Sequence, residues 1–148
     1  MATIAIAADH NGVALKARLV DWLVAHGHVA EDLGTHGDEV VDYPALCVAV
    51  GSRVAGGGAD HGIVVGGSGQ GEVVACNKLR GIRAGLAYSR FAVEISRGNN
   101  DANVMVVGAK VVSDDEAVDL LGLWLETPFK GGVHADRVAQ ISRLDDAR

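Results

Sequence analysis

The sequence predicts an α/β fold, a three-layer domain with a five-stranded parallel sheet covered by helices on both faces. Two observations carry this. Short apolar runs of strand length alternate with segments whose apolar residues recur at helical spacing. The runs are apolar throughout rather than alternating, as strands buried on both faces are. The 148 residues fit one domain, 1–148, with no internal repeat or low-complexity stretch.

The elements follow in order. Thr3-Ile4-Ala5-Ile6-Ala7-Ala8 reads as a buried strand that ends in the turn Asp9-His10-Asn11-Gly12. Val13, Leu15, Leu19, Val20, Leu23 and Val24 then give an apolar helical face, with Lys16, Arg18 and Asp21 on the other side and Gly27 as the stop. A second strand is expected at His28 to Leu33, before a polar stretch from Gly34 to Tyr43. Pro44 suits the first turn of a helix that carries Leu46, Val50 and Val54 to Gly56-Gly57-Gly58. His61 to Val65 is the third strand and runs into the loop Gly66-Gly67-Ser68-Gly69-Gln70-Gly71-Glu72. A helix from Val73 to Leu79, a strand near Arg83 to Ala87 and a helix from Phe91 to Arg97 come next. Asn103 to Val107 is the fifth strand, and Ser113 with Asp114, Asp115 and Glu116 caps the helix of Val118, Leu121 and Leu125. The last helix, Val133 to Leu144, is expected to turn Val138, Ile141 and Leu144 inward. Such a unit is Rossmann-like, and its ligand belongs at the carboxyl ends of the strands, in the loops after strands one, three and four or five.

Composition excludes several function classes. A net charge of −6 argues against a nucleic-acid surface or a polybasic membrane anchor. Cys47 and Cys76 are the only cysteines and lack CxxC spacing, so neither a zinc ribbon nor a disulfide scaffold is expected, and the histidines form no metal site. No apolar run reaches membrane length and the first residues lack signal-peptide character, so a cytoplasmic protein is expected. Glycine is the outlier, with 20 residues at nearly twice the usual roughly 7%.

Four of those glycines fall in the Gly66–Glu72 loop. Between a strand and a helix they let backbone amides converge on a phosphate or a developing oxyanion. A nucleotide P-loop would need Lys-Ser/Thr where Glu72 stands, and the dinucleotide fingerprint belongs after the first strand. A nucleophile elbow would need glycine at Gln70. Glu72, a carboxylate beside an amide nest, suits proton transfer at carbon, with Ser68 relaying a proton between substrate oxygens. Asp9 and His10 end the first strand on the same edge and are expected to face substrate, and Asn99-Asn100 is a polar turn that could contact hydroxyls. His134 and Arg137, three apart on one helix, suit phosphate.

Asp9-His10-Asn11-Gly12, Asp42-Tyr43-Pro44, the Gly66–Glu72 loop, Ala75-Cys76-Asn77-Lys78, Gly81-Ile82-Arg83-Ala84, Asn99-Asn100, and His134 with Arg137 run in order along nearly the whole chain. Together they resemble the ribose-5-phosphate isomerase B family, which includes galactose-6-phosphate isomerase subunits. The resemblance implies cofactor-free interconversion of an aldose and a ketose phosphate through a cis-enediolate, in homodimers or tetramers whose active sites are shared between subunits. It makes Glu72 the base, in the branch that has Gly66 where many relatives carry a cysteine. It places Ser68 near O1 and O2, the amides of Gly67, Gly69 and Gly71 in the anion hole, Asp9, His10 and Tyr43 along the substrate, and His134 and Arg137 at the phosphate. The chain departs from the family at Asn99, where a ring-opening histidine is usual, and at Val133 and Lys110, where phosphate-binding arginines are common. Ribose 5-phosphate is the expected substrate. A four-carbon sugar phosphate, which cannot close a five-membered ring, and a relative that binds without turnover are the alternatives.

Overall fold

The computed structural model describes residues 1–147. Five strands, β1 (Thr3–Ala8), β2 (Val29–Asp32), β3 (His61–Gly66), β4 (Ala84–Leu86) and β5 (Val104–Gly108), form one parallel sheet in the order β2-β1-β3-β5-β4. The helices are α1 (Val13–Ala25), α2 (Tyr43–Ala55), α3 (Gln70–Cys76), α4 (Arg90–Gly98), α5 (Asp114–Glu126) and α6 (Val133–Arg143), followed by a short 3-10 turn at Leu144–Ala147. No described helix is long and apolar enough to cross a membrane.

The period-two geometry of the central strands sorts their side chains into two cores. Ile4, Ile6, Ile63, Val65, Met105 and Val107 meet Leu15, Leu19 and Leu23 of α1, Val93 of α4, and Leu121 and Trp124 of α5. Ala5, Ala7, Val64, Val104 and Val106 meet Cys47 and Val50 of α2 and Cys76 of α3. Alanine and glycine on this second face let α2 settle close: a Cβ on Gly62 would press on Val50, Val54 and Val104. β1 and β3 lie side by side although β2 falls between them in the chain, and β2 takes the outer flank of β1, so the order reverses direction between β1 and β3. That is the switch point at which open α/β sheets bind ligands.

Three local expectations are corrected. α3 begins at Gln70 rather than Val73 and ends at Cys76, because the left-handed turn at Gly69 (φ +83°) starts the helix at once. Lys16 belongs to the buried side of α1, only 2% exposed, because its stem crosses the apolar face to reach an ionic anchor; Val24 is exposed instead. α6 buries none of its residues against this chain: Val138 is half-buried, and Ile141 and Leu144 are exposed. The caps agree with their signals. Gly27 takes φ +81° after α1, and Ser113 with Glu116 forms a reciprocal capping box on α5.

Candidate active site

The site forms where β1, β3 and β5 end on the same edge of the sheet. After β1 the chain turns through Asp9 to Gly12, pressed so tightly on β3 that a Cβ on Gly12 would overlap Val65. Asp9 is buried, and its Oδ1 accepts the Asn11 backbone N–H at 2.8 Å while Oδ2 accepts the Asn11 side-chain amide at 3.3 Å. His10 Nδ1 accepts the Val41 N–H at 3.4 Å. The segment after β2, residues 33–35, is laced to β1 by Leu33 N to Ile6 O, Ala8 N to Gly34 O and Thr35 N to Ala8 O, each at 2.8–2.9 Å. Lys16 anchors it from beneath: Nζ donates to Asp32 Oδ1 at 2.7 Å and to the Thr35 carbonyl at 2.6 Å. Burial pushes the Asp32 carboxyl up, but Lys16, the Gly34 amide and His36 outweigh it and hold it below its usual range.

After β3 the glycine loop lies across the ends of its neighbours. Ala109 N donates to Gly66 O at 2.8 Å and Lys110 N to Gly67 O at 2.9 Å, stitching the loop to the end of β5. A side chain on Gly69 would overlap Leu86 and Val106, so this residue must be glycine for space as well as for its positive φ. Tyr43, the first residue of α2, lays its hydroxyl where Gly71 has no side chain and so closes over the first turn of α3. The exposed Ser68 hydroxyl accepts the Gln70 N–H at 3.2 Å.

Glu72 is the centre of this arrangement. It is 4% exposed, and its carboxylate occupies the room that the missing side chain of Gly66 leaves: a Cβ there would overlap Glu72 Oε2 and Cδ. Oε2 is buried with no hydrogen-bond partner. Burial pushes the Glu72 carboxyl above its ordinary pKa and the Asp9 carboxylate adds to the effect, against a partial counterweight from the amides of Glu72 and Gly69. A carboxylate in that state holds a proton more readily than a surface glutamate. Cys47 Sγ underpins it, lying 3.7 Å from the Glu72 carbonyl oxygen.

The structure therefore brings Asp9, His10, Tyr43, Gly67, Ser68, Gly69, Gly71 and Glu72 to one edge, with the exposed Lys110 at its rim. It does not bring Asn99, Asn100, His134 or Arg137 there. Asn99 follows α4 and precedes β5, so it lies at the edge where the strands begin, a strand length of roughly 16–20 Å away. α6, with His134 and Arg137, starts beside the same edge: Lys130 N donates to Gly98 O at 2.9 Å. Its far end returns to the residues just before β4, where Asp145 accepts the Gly81 N–H at 2.8 Å. Sequence reasoning missed Asn11 and the Val41 amide as the supports of Asp9 and His10, and Lys16 as the anchor of segment 32–35. Only Lys16 left a signal, a charge falling at an apolar helical position beside Leu15 and Leu19. No cluster of three or more metal-ligating side chains occurs among the described residues.

Residues 4–141 match the family described as Ribose/Galactose Isomerase. The chain is 38% identical over 148 residues to ribose-5-phosphate isomerase B of Escherichia coli, covering all of this chain and 99% of that protein. Among solved structures, ribose-5-phosphate isomerase B of Clostridium thermocellum superposes with a TM-score of 0.96 at 41% identity, over 98% of both chains. The Mycoplasma genitalium ribose-5-phosphate isomerase B with bound ribulose-5-phosphate gives 0.95 at 31% identity, over 99% of this chain and 97% of that one. With a matching fold, a glycine loop at the switch point and a buried carboxylate beside it, this chain belongs to the ribose/galactose isomerase family and is an aldose–ketose isomerase.

Proposed function

We propose that this chain interconverts ribose 5-phosphate and ribulose 5-phosphate with Glu72 as the base. The observation that carries the reading is the Glu72 carboxylate, buried, raised in pKa and seated in the space left by Gly66, beside the glycine loop. The open-chain aldose lies with C1 and C2 over Glu72. The carboxylate takes the proton from C2, the C–H electrons form the C1=C2 bond, and negative charge passes to O1, where the amides of Gly67 to Gly71 stabilise it. Ser68 moves the hydroxyl proton from O2 to O1. Glu72 then returns its proton to C1 as C2 becomes the carbonyl, so atoms and charge balance with no added reactant. Asp9, His10 and Tyr43 line the sugar.

The phosphate end and Asn99 come from a second copy of the chain. Within one copy, Asn99, Asn100, His134 and Arg137 gather at the opposite sheet edge, and α6 exposes Val133, Ile141 and Leu144 without a partner. A dimer that sets the strand-start edge of one copy against the glycine loop of the other completes two sites and covers α6. Lys110, at the rim, adds a cation toward the phosphate. In this reading the assembly, one domain per copy, acts in the cytoplasm.

Asn99 favours a second substrate class as well. An asparagine does not titrate near neutral pH, so it cannot open a furanose ring by acid–base catalysis. A tetrose 4-phosphate has no such ring to open. Solvent deuterium incorporation at carbon, followed for ribose 5-phosphate and erythrose 4-phosphate with the wild type and Glu72→Gln, tests both. Loss of a positioned base costs about 10²–10⁴-fold. Glu72→Gln within tenfold of wild type refutes the base assignment, and faster exchange with the tetrose transfers the substrate to the shorter sugar.

A further inference from the structure

The turn that carries Asn99 is held far more firmly than a surface turn requires. Two arginines from different elements converge on Asp101. Arg83, just ahead of β4, donates through Nε to the carbonyls of Asn100 (3.1 Å) and Asp101 (3.0 Å), and through Nη2 to the Asp101 carbonyl (2.8 Å). Its guanidinium also lies 3.6 Å from Asp101 Oδ2. Arg97, on α4, reaches Asp101 Oδ1 at 3.3 Å and the Ala102 carbonyl, and stacks 5.6 Å from the centre of the buried Trp124 ring. Asp101 is the one non-glycine residue with positive φ (47°) among those described, a conformation aspartate tolerates better than most residues. Arg97 Nε and Asn99 Oδ1 stay buried without a hydrogen-bond partner in this chain. A solvated turn gains nothing from burying polar atoms unsatisfied.

We propose that Arg83 and Arg97 are positioning residues that clamp Asp101 so that the Asn99–Asn100 turn is presented, already shaped, to the Glu72 loop of a second copy. The proposal rests on the shared site argued above. The arginines touch no substrate; they act through the turn, and a misplacement of about 1 Å at such a contact costs on the order of 10²-fold in rate. Their effect must therefore operate in trans, on the neighbouring copy's Glu72, and not on the Glu72 of their own chain.

That direction is what the test reads. Arg83→Met is expected to lower kcat/KM about 10²-fold. Asp101→Gly, which keeps the positive φ without strain, gives a second variant that removes the carboxylate alone and is expected to lower it in the same direction. Arg83→Met is then co-expressed with Glu72→Gln under two different affinity tags, and the assembly carrying both tags is purified. One of its two sites pairs an intact Glu72 with an intact clamp, so recovery to about half of wild-type activity is expected from two impaired chains. A parallel mixture of Glu72→Gln with Asn99→Trp, whose bulk blocks the neighbouring site, reports on sharing itself. Recovery in the Asn99→Trp pair without recovery in the Arg83→Met pair leaves sharing intact and overturns the clamp. Recovery in neither, or no doubly tagged assembly, removes the shared site and the clamp with it. Activity of both Arg83→Met and Asp101→Gly within twofold of wild type also overturns it.

Discussion

Gly66→Ala separates catalysis from stability at this site. Gly66 ends β3 without a positive φ, so alanine is admissible in its backbone, and the smaller unfolded-state entropy would favour the folded protein by about 0.4–1 kcal/mol. The new methyl, however, would fall on the Glu72 carboxylate. Restoring an ordinary carbon–oxygen separation needs a retreat of about 1 Å or more by that carboxylate. Glu72 can give way, because the obstacle is the free end of a flexible side chain whose Oε2 holds no hydrogen bond. Relieving the clash is therefore cheap in stability, and the offset between the two terms leaves the melting temperature within a few degrees of wild type. A displacement of that size between base and substrate carbon costs on the order of 10²-fold in kcat. The assay is steady-state isomerisation with solvent deuterium exchange, beside thermal unfolding by circular dichroism. Gly66→Ala added to Glu72→Gln should cost nothing more, since both act on one group. Wild-type turnover in folded Gly66→Ala would refute the reasoning, because the proton then moves somewhere other than where the Glu72 carboxylate sits.

Three further outcomes are expected. Because Glu72 must be ionised to act and its pKa is raised by burial and Asp9, kcat/KM should fall on acidification through a value above the roughly 4.3 of an ordinary glutamate; a limb at or below pH 4 contradicts the burial argument. Lys16→Met should destabilise the chain by about 1–3 kcal/mol, less than a fully buried pair because Asp32 is 29% exposed. Since Asp32 is held below its usual pKa, that pairing stabilises above the unfolded value and is lost as pH falls through the folded one, so urea titrations should show the wild-type advantage shrinking from pH 6 to pH 3. Ile141→Asp should leave the far-ultraviolet spectrum unchanged yet yield an inactive monomer by sedimentation; an active monomer would mean that one copy suffices.

Which parts of this could be read from the sequence follows from what each signal encodes. Continuous apolar runs mark strands buried on both faces, so β1, β3 and β5 and the loops at their ends were legible within a residue or two. The order β2-β1-β3-β5-β4 was not, because it is decided by which strands pair across the sheet and no periodicity records that. Helical spacing identified Val138, Ile141 and Leu144 as one face of α6, but a spacing does not say whose surface the face meets, and this chain offers it none. The same limit hid how the expected site residues fall on the two edges of the sheet. Only the parallel run of the strands shows that Asn99 and His134 lie an entire strand away from Glu72.

Gly66 and Glu72 are best understood as a single device. In the first turn of α3 a carboxylate would ordinarily be favoured in its charged form, since the helix start is electropositive and amides are close at hand. Left there in solvent, it would be a weak base with little reason to take a proton from carbon. Removing the side chain at 66 lets the carboxylate fold back under the loop, where burial and Asp9 reverse the preference and Oε2 goes unpaired. The amides of Glu72 and Gly69 still reach it and offset only part of that effect. The glycine thus raises the basicity of the carboxylate proposed as the base. A side chain at position 66 would forfeit that effect while leaving every element of the fold in place.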